Sequence, residues 1–125
     1  MVYFLVGLAG FLGAILRYLI GLVLSDESQV FPFSTLIINL IGSFLLAYLT
    51  TVVFKKISIA SHIKTAIGTG FVGSFTTFST FSVETVKLFQ SNHLFLGVIY
   101  VLVSLFGGLV MSRLGFSVRK EEESV

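Results

Sequence analysis

The chain has 125 residues, 55% of them hydrophobic and 11% charged, with a net charge of +2 and a mean hydropathy of +1.03. A soluble domain of this size needs more polar side chains to cover its surface. The charges cluster, leaving long apolar runs that suit transmembrane helices and are too continuous for barrel strands. The sequence therefore predicts an all-α membrane protein, a single transmembrane domain over 1–125.

There is no cysteine, which excludes disulfides, thiolate metal sites and a cysteine nucleophile. His62 and His93 both fall in polar stretches between apolar runs, so histidine-based chemistry inside the membrane is not expected, nor is a nucleic-acid partner. The N-terminus is apolar from Val2 with no basic lead, and is read as a retained first helix rather than a signal peptide.

A hydrocarbon core of roughly 30 Å takes about 20 helical residues to cross. Four stretches meet that length: about 2–24, 32–54, 62–89 and 94–114. The first ends at the polar loop Ser25-Asp26-Glu27-Ser28-Gln29. The second opens at Pro32, the only proline, in a first turn where its missing N–H has no partner to lose. The third contains GTGFVGSFTTFSTFS over 68–82, dense in glycine, hydroxyls and phenylalanine. Such a segment is expected to break the helix inside the membrane and free its carbonyls. The charged tail over 115–125 is expected to be solvated and disordered.

Polar groups within these runs are the candidate functional residues. Gly7, Gly10, Ala14, Arg17 and Gly21 share one face of the first helix, a pattern that lets backbones approach closely. Arg17 lies roughly 20 Å in from the helix start. It either snorkels to the interface or faces a water-filled vestibule that draws anions. On the second helix, Thr35 and Asn39 share a face; the Asn39 amide either bonds a neighbouring helix or aims donors into a pore. Tyr100, Ser104 and Gly108 form a polar or small track on the fourth. Phe78 and Phe81 sit among the hydroxyls of TTFSTFS; they are lipid-facing filler or rings whose positive edges meet an anion. Glu84, the only acid within an apolar run, either pairs locally with Lys87 or has a role the sequence leaves open.

Three motifs, GFLGAILRY at 10–18, PFSTLIINLIGSF at 32–44 and GFVGSFTTFSTFSVET at 70–85, together resemble the Fluc/CrcB family of fluoride channels. The resemblance covers nearly the whole chain. It implies a passive, fluoride-selective channel in the plasma membrane, built as an antiparallel dual-topology dimer with two pores. It implies that Asn39 lines the pore, that Phe78 and Phe81 form an aromatic box, and that Ser79 and Thr80 supply donors. Thr35, Tyr100 and Ser104 would continue the polar track. Backbone carbonyls of Gly73 and Thr76 would hold a central structural Na⁺ that is not transported. Two positions depart from the family pattern: Ser74 stands where glycine is common and Gly108 where the track often has serine.

A small proton-coupled multidrug exporter of four helices is the alternative, but that class depends on a glutamate in the first helix, where this chain has Arg17. A non-transporting assembly subunit would have no use for so dense a polar constellation, and no serine–histidine or paired-aspartate set supports an intramembrane hydrolase. Lys55, Lys56, Lys64, Arg113, Arg119 and Lys120 lie on the side of both termini, against Lys87 on the other, so the termini are expected in the cytoplasm. So biased a chain supplies few inverted copies. The dimer partner is accordingly expected to be either a second copy or a paralogue of opposite bias.

Overall fold

The computed structural model describes residues 1–24 and 30–124, with side chains as far as residue 118. The loop expected at 25–29 lies outside the described residues. All regular structure among them is helical: α1 (Val2–Leu24), α2 (Phe33–Lys56), α3 (61–75), α4 (Phe78–Gln90) and α5 (Leu94–Ser124). Three of these, α1, α2 and Leu94–Val118 of α5, are long and apolar enough to cross a membrane unaided. The third apolar stretch is divided between α3 and α4, neither of which spans by itself.

Pro32 stands one residue outside the first turn, as the N-cap of α2. That helix is the most buried of the three spans. It lies parallel to α5, with Gly107 against Leu40 and Gly115 against Ala47 and Tyr48. Its last turns widen to π geometry over Leu49–Val53. The hydroxyls of Thr50 and Thr51 bond back to the carbonyls of Leu46 and Ala47 there, competing with the backbone ladder.

In α3 the residues Ala66–Val72 are also π-helical. Here α1 and α3 cross at backbone distance: a Cβ on Gly13 would collide with the Phe71 carbonyl, and one on Gly70 would stand 2.7 Å from the Val6 carbonyl. Gly13 rather than the predicted stripe makes the tightest of the α1 contacts, and a Cβ on Gly7 would meet open space.

The break between α3 and α4 is two residues long. Thr76 (φ −85°, ψ 160°) and Thr77 (φ −150°, ψ 113°) are extended. At the other end of α4, Asn92 takes φ 64° and the His93 N–H donates to Leu88 at 2.8 Å, closing a tight C-terminal turn. Leu36, Leu88 and Tyr100, with Phe31, Leu40, Phe81 and Leu96 around them, bind α2, α4 and α5 into one core.

The tail requires a correction. Instead of ending near 114 with a disordered segment, α5 continues to Ser124. Arg, Lys and Glu are strong helix formers, and neither glycine nor proline follows Gly115.

Candidate functional site

The site is organised by the way the helix break is satisfied. The Asn39 Nδ2 donates to the Thr77 carbonyl at 3.1 Å, and the Thr77 N–H donates to Asn39 Oδ1 at 2.9 Å. One amide on α2 thus fills both backbone valences of an extended residue on the neighbouring segment. Thr77 in turn caps α4, its hydroxyl accepting from the Thr80 N–H at 3.1 Å. Gly42, one turn along α2, leaves room for the Thr76 methyl, which a Cβ there would strike.

This arrangement frees carbonyls. In an unbroken helix the Thr77 N–H would donate to Gly73; committed to Asn39, it leaves the Gly73 carbonyl a 3.5 Å approach from the Thr76 hydroxyl. The Thr76 carbonyl precedes the N-cap and receives no backbone N–H among the described residues. The two oxygens proposed from resemblance as cation ligands thus lie among the carbonyls of 73–76, none of which receives a backbone N–H across the break among the described residues. Among the described residues no cluster of three or more His, Cys, Asp or Glu side chains is found.

A cavity of about 470 Å³ opens beside the break. Asn39, Ser43, Thr76, Thr77, Ser104 and the rings of Phe78 and Phe81 line it, and no ionisable side chain does. The second Asn39 N–H has no partner among the described residues. Ser104 says more: its hydroxyl is buried without a partner among the described residues, a condition that costs about 1–3 kcal/mol unless something else accepts its proton. The ring centroids of Phe78 and Phe81 are 5.9 Å apart. Phe78 is 79% exposed, whereas Phe81 packs into the core with its centroid 4.9 Å from that of Tyr100. Neutral donors and ring edges are what a small anion needs for temporary coordination.

Not every predicted residue joins this cavity. Thr35 and Tyr100 turn to Glu84: the Thr35 hydroxyl donates to Oε1 at 2.7 Å and the Tyr100 hydroxyl to Oε2 at 3.2 Å. Thr80 lines a separate cavity of about 270 Å³ with Arg17, Tyr18, Ser34 and Thr35. The half-buried Arg17 thus borders a recess that mixes apolar residues with Ser34, Thr35, Thr77 and Thr80. Ser79 is exposed and borders neither cavity. Gly108 has the Ser43 hydroxyl 3.7 Å from where its Cβ would stand, so a hydroxyl from α2 neighbours the gap in the α5 track.

Glu84 is the site residue that sequence reasoning left unassigned. Its partners are the two hydroxyls on α2 and α5, not Lys87. The available signal was an acid alone in an apolar run beside two polar tracks, but its pairing depends on helix register.

A family model described as CrcB-like protein, Camphor Resistance (CrcB), matches residues 4–116. The chain is similar to Fluoride-specific ion channel FluC 1 of Desulfitobacterium hafniense (strain Y51), 66% identical over 109 residues that cover 87% of this chain and 95% of the relative. It is 51% identical to Fluoride-specific ion channel FluC 1 of Bacillus thuringiensis subsp. konkukian (strain 97-27), over 94% of this chain and 86% of that one. Fluoride-specific ion channel FluC 2 of Geobacillus kaustophilus (strain HTA426) is 45% identical over 98% of this chain and 95% of its own length. These relatives are named as ion channels and not as enzymes. With a match across nearly its full length, the chain belongs to the CrcB family.

Proposed function

We propose that this protein is a fluoride-selective channel that passes fluoride down its electrochemical gradient and lowers its concentration in the cytoplasm. The observation that carries the reading is a cavity lined by Asn39, Ser43, Ser104 and the rings of Phe78 and Phe81, with no ionisable side chain among its described lining residues and the orphaned Ser104 hydroxyl buried in its wall. Fluoride is small and strongly hydrated, so its water must be replaced by compact donors. A full charge at the centre would trap it, whereas amide, hydroxyl and ring-edge contacts are each weak enough to release it. Arg17, in its own recess, supplies attraction from the vestibule without sitting in the cavity.

The cavity is not enclosed by this subunit, and a second subunit inserted the opposite way would close it. Such an antiparallel dimer carries two pathways. The Gly73 and Thr76 carbonyls of both subunits would then supply four oxygens to one structural Na⁺, whose hard, singly charged character suits oxygen-only ligation. Its contribution is to hold the break open; the permeating ion does not cross it. The helical membrane character and the side bias of Lys and Arg favour a plasma-membrane location with both termini cytoplasmic. Since the chain has no native cysteine, cysteines introduced singly into its loops report orientation directly. Predominant labelling from one face is the expected result where the natural partner is a paralogue; equal labelling from both faces with full activity would establish a self-sufficient homodimer.

Liposomes holding the purified protein test the function, with valinomycin and K⁺ carrying the compensating charge. Fluoride should leave rapidly while chloride stays. Absence of fluoride efflux, or efflux matched by chloride, would overturn the proposal.

A further inference from the structure

Beyond the main cavity, Phe81 touches Tyr100, Tyr100 donates to Glu84, and Glu84 lines a smaller cavity of about 150 Å³ with Lys87, Ser91 and Pro32. This chain of contacts leads from the neutral cavity to the end of the molecule opposite the termini. At that end stands the Glu84 carboxylate, bonded by two hydroxyls and with no cation partner among the described residues. Lys87 is one turn further along α4, exposed, and lines the same small cavity without an ion pair among the described residues. The sequence offers no substitute at this end. Residues 25–32 contain Asp26 and Glu27, residues 90–93 contain no acid, and neither stretch contains Lys or Arg.

We infer that Lys87 is the electrostatic collector of the pathway at this mouth, offsetting Glu84 and raising the local concentration of the permeating anion. The inference rests on the fluoride-channel reading and goes beyond it by assigning the mouth and its cation. A lysine near a helix end that merely snorkels to the interface predicts no effect of its charge on transport. A collector predicts an effect that salt removes. At about 0.01 M ionic strength the screening length is ~30 Å, and at about 1 M it falls to ~3 Å. The collector acts before coordination begins, so it alters the half-saturating fluoride concentration and not the maximal rate.

The experiment measures fluoride flux against fluoride concentration in liposomes for the parent, Lys87→Gln and Lys87→Arg, with ionic strength set by an impermeant sodium salt. At low ionic strength Lys87→Gln should raise the half-saturating concentration about two- to fourfold, the range expected for one charge acting through water over several ångströms. The difference should vanish at high salt, where equal flux also proves the variant folded, and Lys87→Arg should follow the parent throughout. Equal curves at low ionic strength overturn the inference, as does a defect that persists unchanged at high salt, or Lys87→Arg behaving as Lys87→Gln. A parent that passes no fluoride fails the underlying channel reading, a result distinct from any difference among the variants.

Discussion

The side-chain amide of Asn39 bonds both the N–H and the carbonyl of Thr77, and so replaces the helical hydrogen bonds that the α3–α4 break gives up. Asn39→Asp is nearly isosteric and tests this bond. The Thr77 N–H keeps its acceptor, but the Thr77 carbonyl loses its donor and the neutral cavity acquires a carboxylate. Stability should fall by about 1–3 kcal/mol. Fluoride flux should drop at least about tenfold, because a like charge in the path costs more than ~1.4 kcal/mol. Thermal unfolding in detergent and liposome flux check the two effects, and an Asn39→Asp channel that conducts as the parent does would remove Asn39 from the pathway.

How far the sequence could be read is seen at the same place. Hydropathy located the apolar stretches because membrane thickness imposes their length, and the density of glycine and hydroxyls marked a break within 68–82, which falls at Thr76 and Thr77. Asn39 was legible as a group too polar to leave unpaired, though its partner, 38 positions away, was not. Glu84 was visible but left open between a local pair with the lysine at i+3 and an unassigned role; helix packing brings Thr35 and Tyr100 to its two oxygens. The continuation of α5 was missed because charge was taken to mean disorder, although the tail residues favour helix.

Ser104→Ala separates function from folding. Deleting a buried hydroxyl that has no partner among the described residues removes a desolvation penalty, so stability should hold or rise slightly. Flux should nevertheless fall about tenfold if the hydroxyl donates to fluoride with the ~1.5–3 kcal/mol of a charge-assisted bond. Loss of stability with unchanged flux would make Ser104 a packing residue.

The two phenylalanines should respond differently to isoleucine. Phe78 is largely exposed, so Phe78→Ile should reduce flux with little change in unfolding of the isolated subunit. Phe81 packs against Tyr100 and the core, so Phe81→Ile should reduce flux and also lower stability by about 0.5–1.5 kcal/mol through the lost aromatic contact. Undiminished flux in both variants would restrict the rings to packing.

If the Gly73 and Thr76 carbonyls hold Na⁺, replacing Na⁺ on both faces with a large organic cation should abolish activity slowly, with no Na⁺ flux at any stage. Gly42→Ala, whose new methyl strikes Thr76, should hasten that loss. Activity indifferent to prolonged Na⁺ removal in both proteins would mean that water or hydroxyls satisfy the break.

The most direct test of the central claim is the reversal potential of the current through the protein in a planar bilayer with opposed fluoride and chloride gradients. A fluoride-selective passive pathway predicts a reversal that follows the fluoride gradient by ~59 mV per tenfold ratio at 25 °C, unmoved by chloride or by a pH difference. A reversal that tracks chloride would contradict selectivity, and one that shifts with the proton gradient would contradict passive fluoride flow and favour a coupled exporter.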